Sequence, residues 1–109
     1  MKSLTKISLS LVVSTAIFLS NLSAQEIHKD TLPTGGTVAG GNATITQESN
    51  NLSINQSSDK VILNWETFNI GKEASVEFFQ PNSTSTALNR VFASDPSHIY
   101  GSLKANGQL

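Results

Sequence analysis

From residue 25 onwards short β-type runs recur about every ten residues, and no window there carries a sustained apolar pattern at i, i+3, i+4 and i+7. Ala43 to Gln47, Leu52 to Gln56, Val61 to Trp65, Ser75 to Gln80, Ala87 to Val91 and Ile99 to Leu103 are rich in β-branched, aromatic and amide side chains, and each is bounded by Asn, Ser, Asp, Gly or Pro. Ile45 sits between threonines, Leu52 and Ile54 flank Ser53, Val76 and Phe78 flank Glu77, and Ile99 and Leu103 lie four apart, so each of these runs presents one apolar face. Abundant Asn, Ser, Thr and Gly lower helix propensity further. The expectation is an all-β fold, as a sandwich, a barrel or a solenoid of stacked coils. Few Asn-Gly or Asp-Gly hairpin signals separate the runs, and amides close to strands are suited to stacked ladders, which favours the solenoid.

The first residues obey other rules. Lys2 and Lys6 precede the apolar stretch Ile7 to Leu19, and Leu22-Ser23-Ala24 places a small residue before Gln25. An apolar run of about thirteen residues is shorter than the ~20 that a spanning helix needs. Residues 1–24 therefore read as a signal-peptide helix that engages the inner-membrane export machinery and is cut between Ala24 and Gln25, leaving 25–109 as the mature part. Its loss removes two lysines and no acid, so the 7 basic and 8 acidic residues become 5 and 8 and the net charge moves from −1 to −3. That balance, without a basic stripe, argues against a nucleic-acid partner. The aromatics Trp65, Phe68, Phe78, Phe79, Phe92 and Tyr100 are not interleaved with Lys or Arg and read as core.

Small exported domains commonly rely on disulfides, yet this chain has no cysteine. Its stability must come from stacking and hydrogen bonding. Gln25 to Gly41 holds Leu32-Pro33-Thr34-Gly35-Gly36 and Gly40-Gly41, which mark turns rather than regular elements.

Four landmarks carry identity: Asn64-Trp65-Glu66-Thr67-Phe68-Asn69-Ile70-Gly71, Val76-Glu77-Phe78-Phe79-Gln80-Pro81-Asn82, Ala87-Leu88-Asn89-Arg90-Val91, and Ile99-Tyr100-Gly101-Ser102-Leu103-Lys104-Ala105-Asn106-Gly107-Gln108. Together they resemble the N-terminal secretion domain of two-partner secretion exoproteins, the group of filamentous haemagglutinin and related adhesins and haemolysins, also called the haemagglutination activity domain. The resemblance implies a right-handed parallel β-helix with an N-terminal cap. It also implies recognition in the periplasm by the POTRA domains of an outer-membrane barrel transporter, and arrival in the medium or on the bacterial surface. Domains of this family run longer than the mature chain, so the chain reads as the N-terminal, incomplete part of one. A coil of about twenty residues, the short end of solenoid periods, gives roughly four coils, and the lead-in with Ala43 to Gln56 is the expected cap.

Asn64, Trp65, Phe68, Asn69, Gly71, Gln80, Pro81, Asn82, Asn89, Arg90, Asn106 and Gly107 are the candidate recognition and folding residues. Each has a structural alternative: Trp65, Phe68 and Ile70 as core, Asn89 and Arg90 as structural hydrogen-bonding groups, Asn106-Gly107 as a tight turn. No enzyme, metal or cofactor is expected. No serine lies in a nucleophile-elbow context, and His28 and His98 stand seventy residues apart without a second ligand at metal spacing. Asn42, Asn51, Asn55 and Asn82 begin Asn-x-Ser/Thr sequons, which a chain rich in these residues produces by chance. Competing functions are a module binding host glycans or receptors, and a gene fragment without activity.

Overall fold

The computed structural model describes residues 27–109, so the signal-peptide helix and the Ala24–Gln25 junction lie outside the described residues. Seven strands follow one another without a helix among the described residues: β1 (Thr37–Gly40), β2 (Ala43–Glu48), β3 (Asn51–Gln56), β4 (Lys60–Trp65), β5 (Ser75–Phe79), β6 (Thr86–Val91) and β7 (Ser102–Ala105). They form two mixed sheets, ordered β1-β4-β6 and β2-β3-β5-β7.

Sequence alternation decides which side of each strand is covered. In β3, Leu52, Ile54 and Gln56 are buried while their neighbours are not, and in β4 Val61, Leu63 and Trp65 are buried in the same way. Val76 and Phe78 of β5 stack in register on Leu52 and Ile54, and Ala87 of β6 stacks on Val61. These side chains, with Leu32, Phe68, Ile70 and Ala74, make a single core into which both sheets point. Fully covering each such aliphatic or aromatic side chain contributes about 1.5–3 kcal/mol.

Strands β3, β5 and β7 pair parallel, as do β4 and β6, while β1 pairs antiparallel with β4 and β2 antiparallel with β3. The antiparallel strands thus close one end of each sheet, and parallel strands succeed one another from there. Residues in register are Asn51 with Ser75, Lys60 with Thr86, Ile70 with Ile99, Ser75 with Ser102 and Thr86 with Gln108, a spacing of 22–29 residues. That corrects the expected period of about twenty. The excess lies in the turns, above all Phe92 to Tyr100, which projects between β6 and β7 and contributes one bridge, Ile70 to Ile99. Two successive β-β units and the start of a third therefore replace the four expected coils.

Other expectations are corrected by parity and pairing. The lead-in contains a strand, β1, because Thr37 and Val38 find ladder partners in Asn64 and Leu63. Gly35 and Gly41, on either side of it, take φ of 64° and 74° and remain turns. Ala43 to Gln56 is a hairpin closed by Ser49-Asn50, with Ser49 at φ 56°, and only its first strand belongs to the antiparallel end. The last strand begins at Ser102 rather than Ile99. Among the aromatics, Trp65, Phe68 and Phe78 are core, but Phe79, Phe92 and Tyr100 are 46%, 69% and 59% exposed. Phe79 follows Phe78 in one strand, and a period of two sends only one of them inward.

Candidate recognition and folding site

At the end of β4 the Trp65 ring meets Phe68 edge to face, with centroids 5.3 Å apart at 78°. Its indole N–H donates to Asn89 Oδ1 at 2.9 Å. Asn89 lies opposite Leu63 in the parallel register, so its amide occupies an inward position that the rung below fills with leucine. Gly36 rests on the indole, where any Cβ would overlap the ring. On the outer face of the same two strands, Arg90 Nε donates to Asn64 Oδ1 at 2.8 Å. The Leu-Asn dipeptides at 63–64 and 88–89 look like an aligned repeat, but the register sets Asn64 against Arg90.

The turn after β4 is held by backbone contacts that leave no room for a side chain at Gly71. Its N–H donates to Thr31 C=O at 2.9 Å, its C=O accepts from Ala74 N–H at 2.9 Å, and a Cβ would overlap the carbonyl oxygens of His28 and Lys29. Asn69 Oδ1 accepts the backbone N–H of His98 at 2.8 Å beside the Ile70–Ile99 bridge, tying the projecting loop down.

The densest cluster sits at the end of β5. Gln80 is buried, and its Nε2 donates to the carbonyls of Ser85 at 3.3 Å and Gln108 at 3.1 Å, while its Oε1 accepts Gly107 N–H at 2.8 Å. Asn106 returns the contact: its Oδ1 accepts Gln80 N–H at 2.7 Å and its Nδ2 donates to Gln80 C=O at 2.8 Å. Two amides thus bind each other's segment across the gap between β5 and β7. Asn82 closes the following turn, where its Oδ1 accepts from Thr84 N–H at 3.0 Å and from the Thr84 hydroxyl at 2.6 Å.

The twelve residues singled out from sequence do not converge on a pocket. Asn64, Trp65, Asn69, Gly71, Gln80, Asn89, Arg90, Asn106 and Gly107 are distributed along the seams between successive chain passes, and Phe68 packs in the core. Pro81 and Asn82 are exposed in a turn. Arg90 and Asn106 are also exposed, so these seam residues face solvent as well as each other's segments.

Sequence reasoning missed Gln56, the counterpart of Gln80 one pass earlier. It is 6% exposed, and its Nε2 donates to the carbonyls of Ser58 at 2.8 Å, Asp59 at 3.0 Å and Thr86 at 3.2 Å. The signal was present: Leu52-x-Ile54-x-Gln56 and Val76-x-Phe78-x-Gln80 repeat one pattern 24 residues apart, the stagger of β3 on β5. Asn50 was missed too; its Nδ2 joins the lead-in at Asp30 Oδ1, 3.2 Å away, to Glu73 C=O at 2.6 Å. At the β6–β7 end a shallow apolar depression of about 370 Å³ is lined by Phe68, Ala87, Val91, Ile99, Leu103 and Leu109.

Residues 24–109 match the family model described as the TPS secretion domain. The heme/hemopexin-binding protein of Haemophilus influenzae strain Rd is 35% identical over 98 residues, which are 90% of this chain and 11% of that protein. A second Haemophilus influenzae protein of the same name is 43% identical over 58 residues, 53% of this chain and 6% of that one. The crystal structure of the HMW1 secretion domain from Haemophilus influenzae aligns with a TM-score of 0.64 at 37% identity, covering 69% of this chain and 20% of that chain. The match spans 11% and 6% of the length of these two curated relatives.

Proposed function

The chain belongs to the TPS secretion domain family, and on that premise we propose that it targets a larger exoprotein for two-partner export and starts that protein's folding as a right-handed parallel β-helix. In this reading an N-terminal signal peptide, cut after Ala24, delivers the precursor to the periplasm. POTRA domains of an outer-membrane barrel transporter then bind the mature segment and pass the chain to the surface or the medium. The observation that carries the reading is the family match over 24–109 together with the parallel register of β3-β5-β7 and β4-β6. Right-handed crossover is the rule for parallel strands joined within a sheet, and β1 and β2 serve as the cap over the first rung.

The energetics fit export without a nucleotide. A chain without cysteine carries no disulfide that would block passage as an extended strand. Once outside, each pass buries apolar side chains on the previous one, as Val76 and Phe78 do on Leu52 and Ile54. The gain per rung opposes return through the pore. The exposed seam and turn residues Pro81, Asn82, Arg90 and Asn106, with the half-buried Asn64 that Arg90 binds, are the positions we assign to transporter contact, with the buried ones acting through the fold. Strand addition at an open sheet edge is the binding mode such a molecule offers.

The test is export of the full-length exoprotein with and without its transporter. The expected result is accumulation in the culture supernatant only when the transporter is present, and loss of that accumulation when residues 63–91 are deleted. Undiminished export in either the transporter-free strain or the deletion refutes the reading.

A further inference from the structure

Asn106-Gly107 is the only Asn-Gly dipeptide in the sequence, and the seam between β5 and β7 demands both halves of it. The Asn106 carboxamide meets both backbone groups of Gln80, accepting its N–H through Oδ1 at 2.7 Å and donating to its C=O through Nδ2 at 2.8 Å. A short side chain that accepts at one end and donates at the other is an asparagine; an aspartate carboxylate offers no donor. Gly107 has no room for a side chain, since a Cβ there would stand 2.7 Å from the Ser85 carbonyl oxygen and 2.8 Å from the Gln80 side chain. The fold thus places at this seam the dipeptide in which an asparagine is chemically least protected.

The weakness is intramolecular. In an unfolded chain the Gly107 nitrogen, having lost its proton to solvent, attacks Asn106 Cγ, and a glycine leaves that approach unshielded and the backbone free to turn into it. The N–Cγ bond forms, the Cγ–Nδ2 bond breaks, and ammonia leaves with a proton from water. The resulting succinimide takes up one water and opens at either carbonyl to aspartate or isoaspartate, so the net exchange is water in and ammonia out. In the folded seam both reacting groups are held elsewhere. The carboxamide is bonded to Gln80 at both ends, and Gly107 N–H donates to Gln80 Oε1 at 2.8 Å.

We infer that Asn106-Gly107 is a self-modification site, open in the unfolded chain and closed when β7 docks on β5, so that it records how long a chain has waited to fold. Loss of the ammonia is irreversible, and neither product rebuilds the seam. An aspartate at this position sets an acceptor oxygen against Gln80 C=O where the asparagine set a donor. An isoaspartate routes the main chain through the former side-chain carbon, and the extra atom shifts the Gly107 N–H off Gln80 Oε1. Either way the buried Gln80 loses bonds that the Asn106-Gly107 segment supplies, and the altered chain stacks its next pass more weakly. Any chain that stays unfolded is exposed to this reaction, whatever its route out of the cell.

Peptide mapping of the full-length exoprotein, incubated at neutral pH either folded or held unfolded in urea, reads the amide-to-acid mass gain and the isoaspartate at each asparagine of residues 25–109. The expected result is that Asn106 converts faster than the others in urea, and at least about tenfold more slowly in the folded protein, where the reaction awaits local opening. Gln80→Met frees the Gly107 N–H, whereas Trp65→Phe removes a bond to Asn89 and leaves the Gln80–Asn106 contact intact. Where both variants stay folded, conversion at Asn106 should rise at least about threefold more in Gln80→Met than in Trp65→Phe. After incubation in urea and refolding, converted chains should be enriched in the fraction cut by a protease that the folded protein resists. Equal conversion in folded and unfolded wild type, equal acceleration in the two variants, or converted chains recovered as folded protein in proportion to their abundance each overturns the assignment. Should Gln80→Met not fold, wild type in urea below its unfolding transition replaces it. Conversion at Asn106 should then climb in step with hydrogen exchange at Gly107 N–H, and conversion that climbs without that exchange overturns the closed seam.

Discussion

Replacing Gln80 by methionine keeps the volume of a buried side chain and deletes three hydrogen bonds, so the cost can be worked out from what each partner has left. Ser85 C=O still accepts Gln108 N–H at 2.8 Å, and Gln108 C=O still accepts Ala87 N–H at 3.0 Å. The two carbonyls lose a second bond only. Gly107 N–H has Gln80 Oε1 as its partner at 2.8 Å and is left without one at a half-buried position. Stranding one such donor costs about 1–3 kcal/mol, and the two weaker bonds add a few tenths each. The expected loss for Gln80→Met is therefore about 2 kcal/mol, read as a fall of roughly 1 M in the urea midpoint at a slope of about 2 kcal/mol/M. Gln80→Glu sharpens the test. A carboxylate there still accepts from Gly107 but faces the Ser85 and Gln108 carbonyls, so burial and those oxygens raise its pKa in the folded state above the unfolded value. A raised folded pKa means that the folded state binds the proton more tightly, so this variant should gain stability as pH falls towards the unfolded carboxylate range and lose it as pH rises to 7. A methionine variant within 0.5 kcal/mol of wild type, or a glutamate variant with no pH dependence beyond that of wild type, would refute the reasoning that the amide is held by its partners rather than by its volume.

Gly71→Ala should be worse than either, at more than about 3 kcal/mol by denaturant unfolding, because the added methyl overlaps the carbonyl oxygens of His28 and Lys29 and displaces the lead-in. Trp65→Phe should cost about 2 kcal/mol by the same assay, from the lost N–H bond to Asn89 and the volume no longer filled beside Phe68. Glu73→Ala, which removes a 3.7 Å ion pair with Lys29 whose side chains are about half exposed, should stay within about 0.5 kcal/mol of wild type. N-terminal sequencing or intact mass of the exported protein should place its first residue at Gln25; a retained residue 1–24 segment contradicts the signal-peptide reading.

What the sequence made legible was the part governed by local rules. Period-two alternation in Leu52 to Gln56, Val61 to Trp65 and Ser75 to Gln80 gave strands β3, β4 and β5 and most of their inward faces. β1 was not legible, because Thr37 to Gly40 is a short run hemmed in by the turn residues Pro33, Gly35, Gly36 and Gly41 and is ordered by its partner β4, 25 residues away at the Val38–Leu63 pair. The coil period was misjudged for a similar reason. Strand recurrence reports the spacing of elements, not how many elements make one pass, and loop length enters only through three-dimensional pairing. Asn89 shows the limit most clearly: its dipeptide matches Leu63-Asn64, yet the structure moves the alignment by one position and turns a surface amide into the partner of an indole.

The seam geometry also explains how folding and recognition can be separated experimentally in a molecule whose motif residues are candidates for both. Trp65, Gly71, Gln80 and Gly107 are bound into the stack, so any substitution there changes stability, and a loss of export by such a variant carries no information about contact with the transporter. Arg90, Pro81 and Asn82 differ. Arg90 is exposed with a single side-chain bond from Nε to Asn64, and Pro81 and Asn82 lie exposed in a turn where the Asn82 side chain bonds only to Thr84. Truncating Arg90 to alanine should therefore cost no more than about 1 kcal/mol. If Arg90→Ala reduces export of the full-length protein tenfold at nearly unchanged stability, that position contacts the transporter. If export instead falls in proportion to unfolding free energy across both sets of variants, the motif residues serve the transporter only by building the stack on which it acts.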